Sequence, residues 1–248
     1  MKAFQQRFVL LFLAAFVSIA AAHSMENDSM EMKMMKPTHQ FGYISPGFSW
    51  IDFGQLNNFL KSSGFSAFPE QAWTLSLGGY KDYRRLVMES AIMFRIWGDN
   101  VNGPVRVTLC AGEIVWNMGF NSLPPEWPVS LYPYLGLGVG GNSIYFRDNS
   151  KTLASLLAST EPNSFIGQLT PLLNLGLGSN YVLASKDGDK GLAIGLRIGY
   201  LFDLYINKSW YSDGIRVSDM PSILQNGAYI RLVLGGWGGH HKHMHMHE

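Results

Sequence analysis

The residues best equipped for chemistry lie at the two ends of the chain. All seven histidines are there: His23 and His39 near the start, and His240, His241, His243, His245 and His247 at the finish. Seven of the twelve methionines accompany them. Met32, Met34 and Met35 belong to the segment HSMENDSMEMKMMKPTH, and Met244 and Met246 to HHKHMHMHE. A thioether is a soft donor suited to Cu(I), whereas imidazole suits Cu(II), Ni(II) and Zn(II). The run His243-Met244-His245-Met246-His247 offers both donors in one segment. Cleavage after Ala22 would also leave His23 with a free amine beside its imidazole, a copper-chelating pair. A terminal histidine run is often an expression tag, but Lys242, Met244, Met246 and the methionine-rich echo at the other end weigh against a pure tag. The tails are therefore expected to bind copper, nickel or zinc, with no cofactor required.

A second set is charged: Arg85, Glu89, Arg95, Arg106, Arg197, Asp203 and Arg231 fall within alternating segments of the body. If that body is a narrow barrel, these residues are expected to point inward. There they would pack as an ion-pair network, because such an interior has room only for side chains. A narrow conducting path for small solutes, favouring anions, is the alternative. Nothing in the body reads as catalytic. Cys110 is the only cysteine, so no intrachain disulfide can form and no histidine of the body is at hand to activate it. Gly138-Val139-Gly140-Gly141 lies in a strand and opens no helix, so it is not a phosphate loop. An enzyme is not expected.

The elements that must position these residues follow from composition. Net charge is +1, and only 15% of residues are charged, which offers no basic face for nucleic acid. Twenty-seven glycines and 13% aromatics suit a small membrane barrel better than a water-soluble globule. Lys2 and Arg7 precede the apolar run 8–19, and Ala20, Ala21 and Ala22 supply small residues for cleavage. A run of roughly 20 residues also reaches the length of a membrane helix. The small-residue site followed at once by a polar segment favours a cleaved signal over an anchor. The expected divisions are a signal peptide at 1–22, a methionine-rich disordered tail at 23–40, a barrel at 41–239 and a His/Met-rich disordered tail at 240–248.

Period-two alternation dominates the body. Leu192, Ile194, Leu196, Ile198, Tyr200, Phe202 and Leu204 share one face; Ala193, Gly195, Arg197, Gly199, Leu201, Asp203 and Tyr205 share the other. Similar runs include Leu86, Met88, Ile92, Phe94 and Ile96 against Glu89 and Arg95, and Val105, Val107, Leu109 and Ala111 against Arg106, Thr108, Cys110 and Gly112. Glycine on a water-facing strand packs nothing, but an interior crowded by bulky side chains needs it. Apolar outside and small or polar inside is the pattern of a membrane barrel. Strands are expected at 41–53, 73–80, 85–97, 104–118, 131–147, 165–185, 191–206 and 226–238, with a short helix over 55–63 ended by Gly64. Closing an even number of strands brings both tails to the same side.

The run from Phe41 to Trp237 resembles the small eight-stranded outer-membrane barrels of Gram-negative bacteria. The residues that carry the likeness are Gly78-Gly79-Tyr80, the L-G-L-G repeats at 135–138 and 175–178, and Gly199-Tyr200 followed by Asp203. The tails are similar in composition to those of periplasmic copper-binding proteins. The resemblance implies an all-β, eight-stranded antiparallel transmembrane barrel in the bacterial outer membrane, with both termini in the periplasm. Its implied partners are outer-membrane lipid and lipopolysaccharide, the barrel-assembly machinery and metal ions. A structural or surface-interaction role is the function expected first; periplasm-facing metal binding and a narrow channel are the alternatives.

Overall fold

The computed structural model describes residues 39–83, 85–97, 100–102, 105–124, 127–148, 165–184, 190–204, 209–212, 215–217, 221, 223 and 225–238. Eight long strands form a closed ring: β1 (His39–Ile51), β2 (Gln71–Tyr83), β3 (Leu86–Ile96), β5 (Val105–Phe120), β6 (Val129–Asp148), β7 (Phe165–Ala184), β8 (Lys190–Asp203) and β11 (Gly227–Gly238). Three short strands are added to it: β4 (Asn100–Asn102), β9 (Trp210–Ser212) and β10 (Ile215–Val217). Every pairing is antiparallel, and β1 closes the ring against β11 through registers such as Gly42–Gly236 and Ile51–Gly227. The expected strands and their order stand, with ends displaced by a few residues.

The ring has two unlike rims. Residues 84–85, 121–128 and 185–189 join strands at the rim where β1 begins and β11 ends, here the tail side. β1, β3, β6 and β8 end at the opposite rim, here the loop side, and the links that follow them, 52–70, 97–104, 149–164 and 204–226, are longer in three of the four cases. One helix, α1 (Gly54–Ser62), forms in the first long link. It stops where the chain needs a left-handed residue, and Gly64 supplies it with φ of 83°. Phe65 N–H donates to Leu60 O at 2.9 Å across that end. The expected helix and its glycine stop are both present. Segments 1–38 and 239–248, where the signal peptide and most of the two tails are expected, lie outside the described residues.

Period two sets what each face meets. The outward face carries Ile44, Trp50, Trp73, Leu75, Leu77, Trp116, Met118, Leu135, Leu137, Leu175, Leu177, Leu196, Ile198, Leu232 and Leu234, all exposed, with Trp73 at 65% and Leu137 at 62%. An apolar surface continuous around the ring far exceeds the patches that a water-soluble monomer tolerates. Among the described side chains of the eight long strands, charges of outward parity stand only near strand ends, at Lys81 and Arg106. Among the described residues no helix is long and apolar enough to cross a membrane. A closed barrel with this belt crosses by strands, which satisfies every backbone group within the ring.

The interior has two layers. Toward the tail side, Phe41, Tyr43, Tyr80, Tyr132, Tyr134 and Tyr229 pack with Val115, Leu201 and Val233. Toward the loop side, Ile51, Phe53, Leu56, Leu60, Phe68, Trp97, Val107, Leu109, Ile144, Trp210 and Ile223 form a separate apolar cluster. This second layer reverses one expectation. Val107, Leu109 and Ala111 point inward, into the cluster that also holds Leu56 and Leu60 of α1, and Thr108 and Cys110 share the outward parity of Trp116 and Met118. Near the loop-side mouth the barrel encloses an apolar cap, so greasy residues face inward there.

Close approach also explains some glycines. A Cβ at Gly47 would stand 2.8 Å from Arg231 Cα and 2.7 Å from Arg231 Cγ, on the strand paired with it. A backbone atom cannot yield cheaply. Gly47→Ala is expected to cost about 1–3 kcal/mol. Gly42→Ala, where the nearest atom is 3.9 Å away, should leave stability nearly unchanged. Urea unfolding of the two variants refolded in micelles checks this; equal midpoints would show that the strands move apart at little cost.

Candidate functional site: the filled lumen and the tail-side rim

The structure brings Glu89, Arg95, Arg197 and Arg231 together inside the barrel, all of them nearly inaccessible to solvent. They arrive from β3, β8 and β11, where alternation sends every second residue inward. Arg197 Nε donates to Glu89 Oε2 at 2.8 Å. Its Nη1 donates to Asn180 Oδ1 at 2.9 Å and to Ser179 O at 3.0 Å. Tyr132 Oη donates to the same Glu89 oxygen at 3.2 Å, and the Arg197 guanidinium lies 5.2 Å from the Tyr132 ring centre. Burying these charges is tolerable because each has an opposite charge or dipole in contact.

A second ion pair joins Arg95 to Glu113. Glu113 was not among the residues expected inside. It shares the parity of Val107 and Ala111, which the sequence pattern had placed outward. Extending the alternation through Trp116, Met118 and Phe120 on the opposite parity was the available signal. Arg231 completes the set: its Nη1 donates to Ser76 Oγ at 2.8 Å and its guanidinium lies 4.5 Å from the Tyr229 ring. Beside it runs a neutral chain. Tyr134 Oη and Tyr229 Oη are 2.6 Å apart, Tyr229 Oη donates to Asn174 Oδ1 at 2.8 Å, and Asn174 Nδ2 donates to Asn117 Oδ1 at 2.8 Å.

Three expected lumen residues stand elsewhere. Arg85 is exposed at the β2–β3 turn with its guanidinium 5.8 Å from the Phe120 ring, because a turn residue has no barrel face. Arg106 has outward parity near the loop end of β5, half-buried and opposite Arg147 in register. Asp203 has inward parity but sits at the loop-side mouth. It accepts from Thr170 Oγ1 at 2.6 Å and from Gln225 N–H at 3.3 Å, which pins the last link to the wall.

Of the expected metal ligands, only His39 is described; His23, Met32, Met34, Met35, His240, His241, His243, Met244, His245, Met246 and His247 lie outside the described residues. His39 opens β1 at the tail-side rim, directly opposite Asp82 on β2. Its Nδ1 is 4.0 Å from Asp82 Oδ2. Among the described residues no three His, Cys, Asp or Glu side chains gather as a complete metal site. Cys110 is half-buried in the wall of β5.

No protein-family profile and no characterised protein match the sequence. Solved structures with a similar fold include Neisserial surface protein A, at 11% identity and a TM-score of 0.43, over 81% of this chain and 97% of that one. Ail, the attachment invasion locus protein of Yersinia pestis, is similar at 13% identity and a TM-score of 0.40, over 81% and 98%. A major outer membrane protein from Thermus thermophilus is similar at 13% identity and a TM-score of 0.43, over 80% and 98%.

Proposed function

We propose that the chain is an outer-membrane barrel with a structural or surface-interaction role, exercised at its loop side rather than through its lumen. The observation that carries this reading is the seal. The interior is occupied by tyrosines and paired charges in one layer and by the apolar cap in the other. A lumen packed in this way makes a narrow channel the weaker alternative. The loop side, in contrast, is built up: β6 and β7 are 20 residues each, and β7 continues past the end of β8 to pair with β9. The β9–β10 hairpin there presents Tyr211, Ile215 and Arg216 to solvent.

Protease added to intact cells tests the orientation. Cuts within 149–164 or 204–226, with an epitope after Glu248 left intact, are expected; the reverse pattern would sink the reading. Planar bilayers carrying the purified barrel should show no unitary currents, and steady conductance would restore the channel.

A second reading, binding of transition-metal ions by the tails, draws support from one observation. The β1–β11 pairing brings the start of the barrel and its end to one rim.

A further inference from the structure

The charges inside the barrel do not cancel. Among the described residues that point into the lumen between its rims, Arg95, Arg197 and Arg231 face only Glu89 and Glu113. Arg197 and Arg95 each hold one of the glutamates. Arg231 holds Ser76 Oγ and the face of Tyr229, neither of which carries a charge. Its Nε and Nη2 have no hydrogen-bond partner among the described residues. Asp82 and Asp203 stand at opposite rims, facing His39 and Thr170. A guanidinium withdrawn from water without a counter-charge is costly.

Register shows what surrounds it. Arg231 is opposite Gly47, Gly47 opposite Thr74, and Thr74 opposite Arg95, in one row across β11, β1, β2 and β3. Gly47 puts no side chain in the way, so Arg231 runs over β1 to reach Ser76 on β2. Ser45 is opposite Ser76 in the neighbouring inward pair. Directly opposed Cβ atoms lie about 5 Å apart, so the head of Arg231 comes down among the hydroxyls of Ser45, Thr74 and Ser76. Ser45 Oγ, Thr74 Oγ1 and Arg95 Nε also have no hydrogen-bond partner among the described residues. Ser45, Thr74, Arg95 and Arg231 are all at most 4% exposed. Guanidinium groups only donate, and a hydroxyl can turn its hydrogen toward an acceptor. We propose that the lumen binds a small monovalent anion, a halide such as chloride, between Arg231 and Arg95, with Ser45 and Thr74 as further donors. One negative charge brings this interior to neutrality, whereas sulfate or phosphate would overshoot it. The ion is a structural counter-charge of the packed barrel, a role separate from that of the loop side.

The test unfolds the full chain from micelles in urea, with sodium chloride replacing sodium gluconate, a much larger anion, at constant ionic strength so that general screening is fixed. An ion held by the folded state alone divides the unfolding constant by 1 + [Cl−]/Kd. Above Kd, each tenfold rise in chloride is expected to lower that constant about tenfold, and bromide should act as chloride does. Arg231→Met should abolish the dependence. Ser45→Ala combined with Thr74→Val keeps both arginines and should weaken binding by at least about tenfold, since each hydroxyl donates to a charged group. Equal midpoints in chloride and gluconate overturn the proposal, leaving water as what these donors meet. A chloride effect that survives Arg231→Met also overturns it, because the ion then binds elsewhere. Should Arg231→Met fail to fold by heat-modifiable migration, the hydroxyl variant decides, and an unchanged Kd counts against the site.

Discussion

Replacing Arg197 by methionine should destabilise the barrel by about 3–5 kcal/mol, the usual cost of stranding one partner of a buried ion pair. The expectation rests on how completely the site is enclosed: the Arg197 and Glu89 side chains are 0% and 1% exposed. Without the guanidinium, the Glu89 carboxylate loses its ion-pair partner and keeps the hydroxyl of Tyr132. Asn180 and the carbonyl of Ser179 lose their donor as well. Removing both charges is a different matter. The double variant Glu89→Leu, Arg197→Met replaces two desolvated ions with apolar volume and should recover most of the loss, as paired replacements in other cores do. Urea unfolding from micelles, followed by tryptophan fluorescence, measures both. A single variant within about 1 kcal/mol of wild type, the range of a solvated pair, would mean that water reaches these charges in solution. The lumen would then be open enough to reconsider as a path.

Much of this architecture was legible in the sequence. Alternation over 192–204 needs no partner to be read, and neither does the stop of a helix at Gly64. The ring also made one placement legible, since even closure fixes both ends of the barrel at one rim. Alternation alone, however, names two faces without saying which is inside. Along β6, β8 and β11 the glycine-rich face resolves that choice. Along the first half of β5 both faces are plausible, and Val107 and Leu109 point inward, into the apolar cluster that holds Leu56 and Leu60 of α1, a helix from a link about fifty residues earlier. Glu113 was hidden for the same reason. Its partner Arg95 was visible, but the parity that delivers Glu113 to it was assigned to the wrong side. Arg85 shows the other limit: the period ends where the strand ends, and a residue in the turn has no inner face. Asp82 escaped notice because a single acid near a turn looks solvated until the strand beside it places His39 opposite.

Leu60→Ala is expected to melt the cap and leave the ring standing. Leu60 is 2% exposed, in a cluster with Leu56, Phe53, Phe68, Trp97 and Trp210. Truncating such a leucine costs about 2–5 kcal/mol. The loss falls on a unit with little stability of its own, since a helix of 9 residues is far below the length that persists alone in water. Polar ties also hold it. Asn57 holds Phe68 through a donated bond of 3.0 Å and an accepted one of 2.8 Å. Asn100 holds Ser66 from the next link. The wall beneath is closed by backbone pairing on every strand and does not depend on α1. Local opening should therefore become cheaper by the full cost of the substitution while global unfolding scarcely changes. Hydrogen exchange of the amides in 56–62 should accelerate by a factor of about 30 to several thousand, following the factor of ten per 1.4 kcal/mol. Heat-modifiable migration should stay as in wild type. Loss of the heat shift together with the cap would show that barrel and cap fold as one unit, with the apolar layer part of what closes the ring.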